Sequence, residues 1–387
     1  MARCGLKNSG NECFMNATLQ CLSVSPFIQN FITRYKNEDI KLFQVITKFE
    51  LGKYKADNIK IECDRILTTQ TETLSADEKR ILLHLLKNSA NIYIYIAFKD
   101  LIRNLTIKKG KLLTAGSFIS IIQELTEGSG FEHLFSGEQN DPHEFMAYLL
   151  DIIHKSKSTQ VVIDHPANID NLDISFKLYL NHFKARYEND YSYFVKNLYF
   201  YILNCVECSE CKNKTYDLCP SYIMCVSIPY QQASDITLHD CLDEMFKVED
   251  IEYKCEIATC CNTQGNRIEK KILSKPKTLM IKIKRYTQTP QNRLIKINKM
   301  VHYPEVLSMQ QYFCGEQIND YELYAIINHT GSLQGGHYYS FIKTLKEDGT
   351  GFDDQWICCN DSQTSFITEE EALSSSNSYI LFYTMIA

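Results

Sequence analysis

Apolar residues recur at helical spacing through the first half of the chain and at strand spacing through much of the second. From Phe14 onward, Met15, Leu19 and Leu22 fall at i, i+4 and i+7, the stripe of a helix that packs on a core. A polar stretch with Gly5 and Gly10 precedes it, so Cys13 is expected at or just before the helix N-terminus. Pro26 marks a break, and Phe27–Ile32 reads as a short second helix. Residues 36–90 are charged and helical in flavour, with a cap at Ser75 supported by Glu78 three residues on. A helix is expected around Tyr93–Leu105. Another follows Thr114-Ala115-Gly116-Ser117, with Phe118, Ile121, Ile122 and Leu125 on one face. Asp141 is a natural N-cap and Pro142 a natural first residue for a helix that buries Phe145, Leu149 and Ile152.

Residues 155–172 read as a loop, and a helical stretch then leads into Phe200-Tyr201-Ile202-Leu203. Beyond that point the pattern becomes β-like. Tyr222–Ile228 is an apolar strand stopped by Pro229, and Thr237 caps a short helix, Leu238–Phe246. Leu279–Tyr286 alternates apolar and basic residues, as a half-buried strand does. Tyr324–Gly331 is a buried strand ending in a turn. After Gly335-Gly336 a strand sets His337, Tyr339 and Phe341 on one face, and Trp356–Ser362 is a strand that ends in polar residues. Helices gathered first and strands later predict an α+β fold.

Composition narrows the class. With 387 residues, 44% hydrophobic and 23% charged, the chain can build a large core and two or more lobes. A net charge of −6 argues against general nucleic-acid binding. The N-terminus is polar by residue seven and no apolar run approaches a membrane span, so no membrane association is expected, and the expected compartment is cytosol or nucleus. In such a compartment the 16 cysteines read as reduced thiols plus a metal site.

Two sets of residues carry chemistry. A thiolate is favoured at a helix N-terminus, which makes Cys13 a candidate nucleophile, and Asn8 and Asn11 can donate to a developing oxyanion. Such a nucleophile needs a base, and the base needs a group to hold its tautomer. His337 and Asn360 supply these if their strands are neighbours, with His329 the competing histidine. The second set is Cys205, Cys208 and Cys211, followed after a β-rich interval by Cys255, Cys260 and Cys261. Close cysteine pairs joined by tens of residues suit a four-thiolate zinc site between two hairpins. Whether Cys260 or Cys261 completes the set stays open.

The string from Gly5 to Asn16 resembles the cysteine box of the ubiquitin-specific proteases, Gly-Leu-x-Asn-x-Gly-Asn-x-Cys-Phe-Met-Asn. Gln139-Asn140-Asp141 with Glu144-Phe145 resembles that family's second box, Asn140 standing where the family has a second Gln. Gly336-His337-Tyr338 matches its histidine box, and the resemblance extends to about Tyr383. It implies a papain-like cysteine protease with a helical thumb (about 1–195), zinc-tipped β fingers (about 196–285) and a β-sheet palm (about 286–387). Residues 36–90 and 155–172 lie outside the pattern. It implies hydrolysis of the isopeptide bond at the C-terminal glycine of ubiquitin. Cys13 is then the nucleophile, His337 the base, Asn360 the third residue, Asn8 the oxyanion donor and Asp361 the acidic residue near it. At least one of Asp141 and Glu144 is expected to pair with the arginines of the ubiquitin tail, and Cys208, Cys211, Cys255 and Cys260 are expected to hold a structural zinc, with no catalytic cofactor. The rival readings are a ubiquitin-binding module without turnover and a protease for another ubiquitin-like modifier.

Overall fold

Helices start where the sequence supplies an oxygen for the open backbone N–H groups. Ser25 accepts from the Ile28 amide at the head of Pro26–Arg34, and Asp141 accepts from the His143 amide at the head of Pro142–Lys157. Ser75 with Glu78 closes a reciprocal capping box, and Thr237 with Asp240 does the same before Leu238–Phe246. The computed structural model describes residues 3–386 apart from 109, 168, 170–171, 230–235, 258, 261, 289–291, 316–318, 333–334 and 347–350. By internal contacts the chain divides into two compact units, Met1–Ser158 with His337–Phe366, and Thr159–Gly336 with Ile367–Ala387.

The first unit is built around helix Cys13–Ser23, whose residues are all buried. The expected apolar stripe is therefore only one side of a helix surrounded by protein. Its polar members are short and find partners inside: Thr18 donates to the Phe14 carbonyl at 2.8 Å and Gln20 to the Cys4 carbonyl at 2.8 Å. Phe14 meets Phe145 of helix Pro142–Lys157 edge to face, with ring centroids 5.8 Å apart.

The capped start at Ser75 and the helix expected at Tyr93–Leu105 belong to one helix, Ala76–Ile107, kinked at Asn88 (φ −129°, ψ 23°). Its first half packs with helices Lys36–Lys48 and Ala56–Thr69 around Leu42, Val45, Ile59, Cys63, Leu82 and Leu85. The stretch 36–90, which matched no motif, is thus a helical layer with a core of its own. By length and composition Ala76–Ile107 is long and apolar enough to cross a bilayer. The sequence reading missed this because the run is interrupted by polar residues; its buried apolar positions are taken up by this packing and by helix Gly116–Thr126.

Strands Gly336–Leu345 and Phe352–Asn360 pair antiparallel with Ser340 opposite Cys359, and Gln363–Ile367 follows at the edge. Gly5–Leu6 runs parallel to Leu112–Leu113, and the Leu6 amide donates to the Asp361 carbonyl at 2.8 Å. A Cβ on Gly5 would run into the Ser362 carbonyl, so the two backbones meet only because residue 5 has no side chain.

In the second unit, Tyr321–Gly331, Ser378–Met385 and Thr278–Lys284 form antiparallel neighbours, and Ile223–Ser227 adds in parallel to Thr278–Lys284. A four-stranded sheet runs in the order Lys214–Ser221, Phe200–Glu207, Asn266–Ile272, Glu249–Ile251. An aromatic cluster of Tyr187, Tyr201, Tyr179 and Phe183 packs helix Ile174–Tyr187 onto it.

Asp39 ties the helical layer to the rest of its unit. Its carboxylate is buried and accepts from Lys99, Lys157 and, at 3.0 Å, the Tyr95 hydroxyl. The Lys157 ammonium also lies 4.7 Å from the Tyr95 ring centroid. Removing one member of a buried charge group leaves the others unpaired, which costs about 3–5 kcal/mol. Asp39→Ala is therefore expected to lower unfolding free energy by about that amount in urea titration. A loss within the range of an exposed ion pair, about 1 kcal/mol or less, would mean that the two lysines find other partners.

Candidate active site and candidate metal centre

Cys13 is the first residue of its helix, and its side chain is buried. The loop before it is held by Asn8, whose Oδ1 accepts from the Gly10 amide at 3.0 Å and the Glu12 amide at 3.1 Å. Its Nδ2 donates to Asp361 Oδ2 at 2.9 Å. These partners fix which end of the Asn8 amide is oxygen, because backbone N–H groups need an acceptor and a carboxylate needs a donor. One N–H of Asn8 is spent on Asp361, which leaves the amide a second donor. Asn11 is used differently. It adopts a left-handed backbone (φ 55°) and its Nδ2 donates to the Gly137 carbonyl at 2.9 Å, tying the loop to the turn before Asp141.

Asp361 follows the strand Phe352–Asn360 in a left-handed conformation (φ 49°). Its second oxygen accepts from Asn16 Nδ2 at 2.8 Å. Asn16 was missed at the sequence level, where it read as one more residue of the cysteine box. A polar residue three positions after Cys13, on a helix predicted to face a core, was the available signal. His337 Nε2 lies 2.6 Å from Asn360 Oδ1 and 3.9 Å from Asp361 Oδ2. The two strands that carry His337 and Asn360 are the antiparallel neighbours the reading required.

Burial is the leading cause that raises the Cys13 thiol above its ordinary value, and the Asp361 carboxylate adds to it. The backbone N–H groups of Tyr338, Phe14 and Cys13 itself pull the other way. Burial thus works against the thiolate that a helix end by itself favours. The Tyr338 contact also sets the sulfur beside the residue that follows His337.

His329 lies in the second unit. Its Nδ1 is 3.0 Å from the Tyr286 hydroxyl, and its carbonyl accepts from the Lys296 ammonium at 2.8 Å. Asp141 caps its helix, and Glu144 Oε1 lies 2.9 Å from His133 Nε2, a partner that the sequence reading did not supply.

The four-cysteine expectation has a definite geometry. The sulfurs of Cys208, Cys211, Cys255 and Cys260 all lie within 4.8 Å of one another. Cys208 and Cys260 are 3.7 Å apart, and Cys211 and Cys255 are 3.6 Å apart. Four thiolates at about 2.3 Å from a tetrahedral metal lie about 3.8 Å apart, so the cluster fits such an ion. Two hairpin loops present it, one between Phe200–Glu207 and Lys214–Ser221, the other between Glu249–Ile251 and Asn266–Ile272. Asn262 braces both, donating to the Cys208 sulfur at 3.8 Å and to Ser209 Oγ at 2.9 Å. The Cys211 backbone N–H leads in drawing the Cys208 thiol down to about 6. Cys205 is on the strand and outside the cluster; Cys261 lies outside the described residues.

Known proteins resemble the chain over nearly its whole length. Ubiquitin carboxyl-terminal hydrolase Usp2 of Drosophila melanogaster is 27% identical over 98% of this chain and 34% of its own length. Ubiquitin carboxyl-terminal hydrolase 2 of Homo sapiens is 25% identical over 98% of this chain and 55% of its own. The chain thus spans about a third to a half of these relatives. Among solved structures, a SAGA DUB module with Ubp8 bound to monoubiquitin matches with a TM-score of 0.64 at 20% identity, covering 99% of this chain and 69% of that one. The same module bound to ubiquitin aldehyde matches at 0.63 and 21%, with the same coverage. The mixed helix-and-sheet fold is therefore that of these proteases. The family model described as ubiquitin carboxyl-terminal hydrolase matches residues 4–383, a span that includes the Cys13 loop, the cysteine cluster and the His337–Asn360 pair, and the chain belongs to that family.

Proposed function

We propose that the chain is a deubiquitinase that cleaves the isopeptide bond at the C-terminal glycine of ubiquitin through Cys13. The observation that carries this reading is the orientation of His337. His337 Nε2 is on Asn360 Oδ1, and the backbone N–H of the next residue, Tyr338, reaches the Cys13 sulfur; in this reading Nδ1 is the nitrogen that serves the thiol. Nδ1 takes the Cys13 proton as the sulfur attacks the carbonyl carbon. The carbonyl oxygen becomes an oxyanion that accepts from the second Asn8 N–H and from backbone N–H groups at the helix start. The imidazolium then protonates the departing lysine amine, leaving ubiquitin as a thioester on Cys13. Water attacks the thioester, His337 takes its proton, and the ubiquitin carboxylate and free thiol are released. Burial works against a preformed thiolate, and His337 supplies the base that takes its proton.

Asp141 and Glu144 stand on the first turn of the helix that packs against the nucleophile helix, and in this reading they receive the arginine side chains of the ubiquitin tail. Glu144 would then exchange His133 for a substrate arginine. Cys208, Cys211, Cys255 and Cys260 would hold a structural zinc, since four thiolates leave no position for substrate or water. The ion would join two hairpin ends that bury little apolar surface of their own.

Three outcomes test this. His337→Ala is expected to reduce hydrolysis of ubiquitin fused to a fluorescent amine by roughly a thousandfold or more. His329→Ala should retain the chemistry and lose stability, and the reverse pattern would assign the base to the wrong histidine. The second concerns charge. The Asp361 carboxylate raises the Cys13 thiol, so Asp361→Asn removes one raising cause and more thiolate is present at a given pH. The rate of Cys13 alkylation by iodoacetamide should then rise at lower pH than in the wild type. An unshifted or upward-shifted profile would contradict the assigned influence of Asp361. The third concerns the metal. Protein purified under reducing conditions without chelator should carry one zinc, Cys260→Ser should release it, and its loss should increase hydrogen exchange across 205–270 while Cys13–Ser23 stays protected. Zinc retained by Cys260→Ser would move the fourth ligand to another residue.

A further inference from the structure

We infer that Asn16 is a positioning residue for the reaction, holding Asp361 so that the Asn8 amide stays turned toward the oxyanion. The inference rests on the role proposed above for Asn8. Asn16 sits one turn beyond Cys13 and is 2% exposed. Its Nδ2 donates to Asp361 Oδ1 at 2.8 Å and approaches the Lys7 carbonyl at 3.5 Å. Both neighbours are acceptors, so the amide cannot be reversed without setting oxygen against oxygen. Its own Oδ1 is buried with no hydrogen-bond partner among the described residues. A side chain retained for stability alone would not hide an unpaired oxygen in this position, because such an atom loses its water and gains nothing. The arrangement makes sense as the means of presenting one N–H to one carboxylate oxygen.

That carboxylate needs a second anchor. Asp361 has a left-handed backbone, and its two oxygens are shared between Asn16 and Asn8. His337 Nε2 stands 3.9 Å from the oxygen that Asn8 uses. With the Asn16 donor gone, Asp361 is held by Asn8 alone on its side-chain end and is free to turn toward the imidazole. There it competes with Asn360 for Nε2 and releases the Asn8 amide from the orientation the oxyanion needs. In the reading above the ubiquitin tail is received by Asp141 and Glu144 and not by these atoms, so the loss is expected in kcat.

The test is a double-mutant cycle on hydrolysis of ubiquitin fused to a fluorescent amine. Asn16→Ala is expected to lower kcat by about ten- to a hundredfold, the usual effect of removing a partner that orients a reacting group, with KM unchanged. In an Asp361→Ala background, which leaves no side-chain acceptor, the same change should have no further effect, because Asn16 acts through that carboxylate. Asn16→Asp offers a second variant of nearly identical shape. It sets two carboxylates together, which bind a shared proton as pH falls, restoring a donor toward Asp361. Its kcat relative to the wild type should therefore rise as pH is lowered. Equal losses from Asn16→Ala in both backgrounds, or an Asn16→Asp deficit that does not change with pH, would overturn the inference. A wild-type chain that turns over no ubiquitin conjugate would overturn the functional reading and this one together. A competent wild type beside an Asn16→Ala variant of equal kcat would overturn this one alone.

Discussion

The Asp361 carboxylate is the point on which the candidate active site closes. Asn8 and Asp361 are 353 positions apart in the chain, and bringing such distant segments together costs entropy that local structure does not return. The closure is made by charge-assisted hydrogen bonds from Asn8 and Asn16, and by the Leu6 amide on the Asp361 carbonyl. Gly5 permits it, since any side chain there would meet the Ser362 carbonyl. Cys13 and the strand bearing Asn360 are thereby held by one set of contacts, and the loop that contains Asn8 acquires a fixed amide orientation. Strain in the left-handed Asp361 backbone is tolerable because its side chain and carbonyl are both anchored.

Around that point the site is closed at the sulfur and open at the imidazole. Cys13 is 2% exposed, whereas the His337 side chain is 38% exposed. The same burial that excludes water raises the Cys13 thiol, and the Asp361 charge raises it further. The cysteine cluster belongs to a different problem. Its two hairpins carry few buried apolar residues near their tips, and four sulfurs at tetrahedral spacing suit a metal that supplies the missing cohesion.

Much of this was legible because it rests on local chemistry. An Asp-Pro pair starts a helix at Pro142, a Thr three residues before an Asp starts one at Leu238, and the glycine-rich loop delivers Cys13 to the head of its helix. What was not legible depends on tertiary partners. Gln20 bonds inward to the Cys4 carbonyl, which nothing in the helical pattern announces. The capped start at Ser75 and the helix at Tyr93–Leu105 read as separate elements, but packing carries one helix through Asn88. The family resemblance singled out Asn8 as the oxyanion donor, and the structure separates it from Asn11, whose amide donates to the Gly137 carbonyl. Glu144 was expected to meet the ubiquitin tail, and its His133 partner was not foreseen. In each case residue type was correct and the partner, hundreds or tens of positions away, decided the role.

The central claim is that Cys13, served by His337, attacks the carbonyl of the ubiquitin C-terminus. Incubation with ubiquitin bearing an electrophile in place of its C-terminal carboxylate measures this most directly. One ubiquitin should be added per chain, peptide mass mapping should find it on Cys13, and the Cys13→Ala chain should take none. No adduct with the intact chain, or an adduct on any of the other cysteines, would contradict the account.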